Sequence, residues 1–151
     1  MLAGLFAEPR YDPRADAVEA LDARLVALAG TAAPLRRALA RIAGRAVAAR
    51  IWEPLGFARA ADYARERLGL SGRELLDLAR VDAALASLPA LDAALSSGRV
   101  GWTKARLLCR VATPADETRW LDVAARLSAA ALAREVRACD VGAAADALPD
   151  D

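Results

Sequence analysis

The stretch Leu68–Thr113, LGLSGRELLDLARVDAALASLPALDAALSSGRVGWTKARLLCRVAT, decides the fold because helix boundaries crowd into it. Gly69 can close a helix in the left-handed conformation. Ser71 and Glu74, three residues apart, match a capping box, in which each side chain satisfies the other residue's backbone N–H. A new helix therefore starts at Gly72. A helix, a short glycine turn and a second helix make the helix-turn-helix pattern, whose second helix can enter the major groove of DNA. With Gly69 in the turn, Ala64, Leu68, Leu70, Leu75 and Leu78 fall where the two helices must touch, and all are apolar. Arg65 falls where close approach favours a small residue. A plain helical hairpin with a glycine turn satisfies the same spacing, so both readings stand on the sequence alone.

Downstream, Pro89 starts a helix that Gly98 closes, with Leu91 and Leu95 inward. WTKARLLCRVA follows as a helix with Trp102, Ala105, Leu108 and Cys109 as core and Lys104, Arg106 and Arg110 as a basic face. Thr113-Pro114 opens another, with Trp120, Leu121, Ala124 and Leu127 buried, and Ser128 caps the last, with Leu132 and Val136 inward. Upstream, ARAADYARERL reads as a helix over residues 58–68 with Phe57, Tyr63 and Leu68 inward. Before it, Thr31 caps a helix that ends before Pro54, its apolar side being Leu35, Leu39, Ile42, Val47 and Ile51. Asp12 and Pro13 begin the first helix and Gly30 stops it. In that first helix Val18, Leu21, Leu25 and Leu28 recur at spacings of three and four. Two heptads are short for a coiled coil, so core packing is the expectation.

The predicted fold class is therefore all-α, a compact bundle of about seven to eight helices. One domain spans residues 12–139, with a helix-turn-helix-like unit at 58–86, a flexible arm at 1–11 and an acidic disordered tail at 140–151. A chain of 151 residues is long enough to bury a real core without metals or disulfides. Its 5 % aromatic content suits closely packed alanine-rich helices better than a sheet. The absence of histidine removes histidine general acid–base catalysis, Ser-His and Cys-His nucleophiles and most zinc and iron sites. No catalytic residue, metal or cofactor is expected. Cys109 and Cys139 read as reduced, buried thiols, no stretch reaches the length of a membrane span, and no signal-peptide pattern is present, which together predict a cytoplasmic protein.

The net charge of +1 conceals a pattern. Residues 31–67 hold eight basic and three acidic side chains, and residues 113–151 hold four basic and eight acidic. Arg37, Arg41 and Arg45 stack at i, i+4, i+8 on one helix face and could follow a phosphate backbone. The competing reading is a solvated face paired with acidic side chains. Gly44 inside the stripe marks a close helix crossing or a kink. On the helix after the turn, Arg73 is placed to reach base edges and Arg80 is exposed, but Asp77 and Asp82 would be repelled by phosphates. Asp62 and Glu66 form the one neat carboxylate pair on a helix, a spacing more often solvated than catalytic.

YARERLGLSGRELLDLARV, LPALDAALSSGRVGWTKARLLCRVATPADETRWL and LSAAALAREV together resemble the helical N-terminal domain of bacterial HNH endonuclease-type proteins, the domain of unknown function 222 type. More distantly, the order and spacing of LGLSGRELLDLARV and the helices after it are similar to the helix-turn-helix region of ParB-type partition proteins. An HNH module needs histidines for its metal and general base, and this chain has none. The resemblance therefore implies a non-catalytic, DNA-associated helical domain. The ParB-type similarity marks Ser71, Gly72 and Arg73, at the helix start, as DNA contacts. With Arg80, Arg37, Arg41, Arg45, Lys104, Arg106 and Arg110 on phosphates, the expected partner is double-stranded DNA. The alternative is a helical protein-interaction or dimerisation module, with a homodimer as the simplest partner.

Overall fold

The computed structural model describes residues 18–146, with side chains over residues 18–140. Among the described residues there are seven helices and no strand. They are α1 (Val18–Ala48), α2 (Ala60–Tyr63, continued by a π-helical turn, Ala64–Leu68), α3 (Gly72–Leu85), α4 (Pro89–Ser96), α5 (Trp102–Leu108), α6 (Glu117–Arg126) and α7 (Ala129–Asp146). The all-α bundle predicted from apolar spacing is the observed architecture. The predicted arm and the first-helix start at Asp12 and Pro13 lie outside the described residues.

The first correction is that α1 is one helix where two were expected. Gly30 stays helical, and the Thr31 hydroxyl donates back to the Leu28 carbonyl at 2.7 Å instead of capping a new helix. Pro34 sits inside α1 and has no N–H to give the Gly30 carbonyl. That oxygen faces Gly98 instead, where an added Cβ would lie 3.0 Å away. Gly98 also closes α4 at φ +79°, so a side chain there is excluded twice.

The turn unit forms largely as its sequence dictates. Gly69 adopts φ +65°, and the Leu70 N–H bonds the Ala64 carbonyl at 3.1 Å. The capping box is complete: the Glu74 N–H donates to Ser71 Oγ at 3.1 Å and the Ser71 N–H to Glu74 Oε2 at 2.8 Å. The close approach falls between Ala61 and Gly72, where an added Cβ would lie 2.7 Å from the alanine methyl, and Arg65 is exposed. Ala64, Leu75 and Leu78 are buried against Ala40 and Ala43 of α1. Leu68 is exposed, contrary to expectation, because the extra residue of the π-helical turn rotates it off the buried face.

The larger core joins Ala33 of α1 to Val81, Leu85, Leu91, Leu95, Leu108, Trp120, Leu132 and Val136, drawn from α3 to α7. Trp102 packs against both cores. Two further expectations fail. Residues 140–146, read as part of a disordered tail, continue α7, consistent with the helix propensity of Ala143, Ala144 and Ala145, while 147–151 lie outside the described residues. Every residue from Asp22 to Ala32 is exposed, so Leu25 and Leu28 do not pack into the body, nor does Val18.

Gly44 lies where α3 crosses α1, and an added Cβ would press on the Asp82 carboxylate, 3.1 Å from its Cγ. Nothing lies within 4 Å of a Cβ at Gly30. Gly44→Ala should therefore lower stability by about 1–3 kcal/mol despite its better helix propensity, and Gly30→Ala should raise it by about 0.5–1 kcal/mol. Urea midpoints of the two variants check this, and equal shifts in the same direction would contradict it.

Candidate interaction surface

Two faces of α1 do different work. Ala33, Arg37, Ala40 and Gly44, spaced four, three and four, turn towards α3 and α4. Arg37 is only 5 % exposed. Its Nε and Nη2 donate to the two carboxylate oxygens of Asp92 on α4, and Nη1 donates to Asp82 Oδ1 on α3 at 2.7 Å. A guanidinium so paired ties three helices together with charge-assisted hydrogen bonds. Both shifts follow from this contact: the Asp92 hydrogen bond raises the Arg37 pKa, and the Arg37 hydrogen bond lowers that of Asp92, with the charge of Arg41 adding to the lowering.

The other face carries Val18, Leu21, Leu25, Leu28, Ala32, Leu35, Leu39 and Ile42, spaced alternately three and four over the length of α1. Only Leu21 among them is half-buried. Leu25 is 67 % exposed, Leu28 56 %, Leu35 69 % and Ile42 59 %. Because α1 does not break at Gly30, the two-heptad run of the sequence becomes a seam of more than three heptads. An exposed apolar strip of this length makes this face of α1 a candidate interaction surface.

The structure scatters the cations expected to meet DNA. Arg37, predicted to lie on the surface, is an internal clamp. Lys104 is half-buried, its Nζ donating to the Ala124 carbonyl at 2.7 Å in the last turn of α6, where a cation favours the helix dipole. Asp77 lies 3.1 Å from Arg80 and 3.8 Å from Arg106, and Arg110 pairs with Asp140 of α7. Ser71 spends its hydroxyl on the capping box and Gly72 lies against Ala61. Arg41, Arg45 and Arg73 remain exposed. Asp82, expected to face solvent, is half-buried against Arg37.

Two further carboxylates complete the scaffold, Asp92, which the sequence did not mark, and Glu117, expected only to complement the positive start of its own helix. Asp92 is the clamp's second carboxylate. Glu117 is buried, and its Oε2 accepts the Leu91 N–H at 3.0 Å, capping the first turn of α4 from α6. Burial pushes the Cys109 thiol up to about 11, which keeps it protonated and unreactive, whereas Cys139, also expected to be buried, is exposed on α7. Asp62 is held below the usual carboxylate range, chiefly by its hydrogen bond from Arg59, the opposite of the tuning a general acid needs at neutral pH. Among the described residues no three His, Cys, Asp or Glu groups gather as a metal site, and no helix is long and apolar enough to cross a membrane. No protein-family model, curated protein or solved structure matches the chain.

The sign of the clamp's pH dependence follows from Asp92. Its folded pKa is lowered, so its stabilisation is complete above the unfolded value of about 3.9 and is lost as pH falls through the lower folded value. The stability gap between the wild type and Asp92→Asn should stay level from about pH 7 to 5 and narrow below about pH 4. Denaturant unfolding across that range reads it directly. A gap that widens on acidification would contradict the assignment.

Proposed function

We propose that this chain is a non-catalytic helical association module, which holds a partner helix along the exposed seam of α1. The observation that carries the reading is the continuous apolar rhythm from Val18 to Ile42, left in water on the face opposite the Arg37 clamp. A core that is complete without these side chains has no structural use for them, and α1 keeps its shape because Ala33, Arg37, Ala40 and Gly44 anchor it from the other side. An amphipathic partner helix in such a groove is read through anchors at i, i+3, i+4 and i+7. The absence of histidine and the protonated Cys109 thiol support a role without chemistry of its own.

A second reading keeps DNA as partner but confines it to the turn unit. It is favoured by the glycine turn, the complete capping box and the exposed Arg73 at the start of α3, the stretch that carries the ParB-type resemblance. Contact would then run through the exposed Arg73, Arg41 and Arg45, and not through Arg37 or Lys104. Binding of a short random duplex should fall steeply with salt and weaken in Arg73→Ala, and no binding at about 50 mM salt would end this reading.

The leading proposal is tested inside cells. A photo-crosslinking amino acid placed at Leu28 or Leu35 should give a protein adduct of raised mass, whereas the same group at Arg134 on α7 should not. Adducts from neither seam position would overturn the proposal, and equal adducts from all three would show that contact is unselective.

A further inference from the structure

We infer that the occupant of the α1 seam is a second copy of this chain, its α1 running antiparallel to the first and centred on Gly30. This rests on the seam being an association surface, the reading proposed above. The seam is self-complementary. With Val18, Leu25, Ala32 and Leu39 in one core position of the heptad and Leu21, Leu28, Leu35 and Ile42 in the other, an antiparallel pair joins one set to the other. Centred on Gly30, Val18 meets the partner's Ile42, Leu21 its Leu39, Leu25 its Leu35 and Leu28 its Ala32. No seam residue is left over, and a shift by one heptad either way would leave some unpaired.

Charge chooses the orientation. In this register Asp22 flanks the Leu25 layer on the same edge as the partner's Arg36, and two-fold symmetry forms the pair twice. Asp22 is exposed and has no ion partner among the described residues, while Arg36 is exposed with its guanidinium 5.6 Å from the Trp102 ring centroid. A parallel, in-register pair would set Arg24 against the partner's Ala29 and Thr31 against its Arg36, with no opposite charges across the seam. The charge of α1 is also unevenly distributed. Residues 18–30 hold two acids and one arginine, whereas residues 31–48 hold four arginines and no acid, so head-to-tail pairing brings unlike halves together. The half of α1 that extends past the body then covers Leu35, Leu39 and Ile42 of its partner. A hollow of about 240 Å³, lined by Leu39, Leu70 and Trp102 together with the charged Arg36, Glu74 and Asp77, adjoins the Leu39 layer.

Sedimentation of the full chain and disulfide trapping test this together. At about 100 µM the chain should sediment at twice its 15.9 kDa, and the pair Leu28→Asp with Leu35→Asp should sediment as a monomer with unchanged helical circular dichroism. With Cys109→Ala and Cys139→Ser as background, Thr31→Cys should oxidise to a covalent dimer, since residue 31 faces its own copy across the dyad. Leu25→Cys should not, since the two copies of residue 25 lie ten residues of helix rise apart, about 15 Å. A disulfide from Leu25→Cys and none from Thr31→Cys would overturn the antiparallel register while leaving the seam as an association surface. A monomer at this concentration, or a dimer indifferent to the two aspartates, would overturn the second copy. In that case a cellular adduct from Leu28 or Leu35 of another mass would leave the association reading standing, and no adduct would remove it as well.

Discussion

A single guanidinium decides which way α1 faces. Arg37 can be buried only because Asp82 and Asp92 reach it from α3 and α4, and among the described residues neither carboxylate has another ion-pair partner. Removing one partner from such a buried set leaves an uncompensated charge, typically worth several kcal/mol, so the three helices hold their relative placement. Gly44 serves the same contact: with no side chain of its own it leaves room for the Asp82 carboxylate over α1. Once the face bearing Ala33, Arg37, Ala40 and Gly44 is turned inward, helix geometry puts Leu28, Leu35 and Ile42 outside.

This arrangement changes what the arginines mean. Five arginines between residues 36 and 50 suggest a track for a polyanion, yet one is an internal strut and another, Arg36, stacks on Trp102. Asp77, on the helix expected to read DNA, sits between Arg80 and Arg106. The cations are distributed to hold helices together at least as much as to meet a ligand. The apolar side chains show the reverse: Leu25, Leu28, Leu35 and Ile42 lie on the surface of α1, where they hold nothing in the body together.

Local chemistry was legible in the sequence. Ser71 and Glu74 form their box, Gly69 and Gly98 take positive φ, Pro89 starts α4 and Ser128 caps α7 because each signal acts within a few residues. Long-range pairing was not legible. Asp82 and Asp92 lie 45 and 55 residues from Arg37, and nothing in the stripe Arg37, Arg41, Arg45 marks which member turns inward. The small residues at 33, 40 and 44 were a usable clue. Gly30, Thr31 and Pro34 read as a boundary because each weakens a helix alone, but Gly98 accommodates the carbonyl that Pro34 leaves without its N–H. That assumed break hid the length of the seam, and a rhythm of leucines does not reveal whether its own body or another chain covers it.

Whether the buried Arg37 contact sets the orientation of α1 can be read from a double-mutant cycle. Arg37→Met, Asp92→Leu and the double variant would be compared with the wild type by denaturant unfolding. A coupling energy of about 2 kcal/mol or more, with the double variant more stable than the sum of the single losses allows, is the predicted result. Additivity to within about 0.5 kcal/mol would contradict this, because Arg37 would then be one more surface cation.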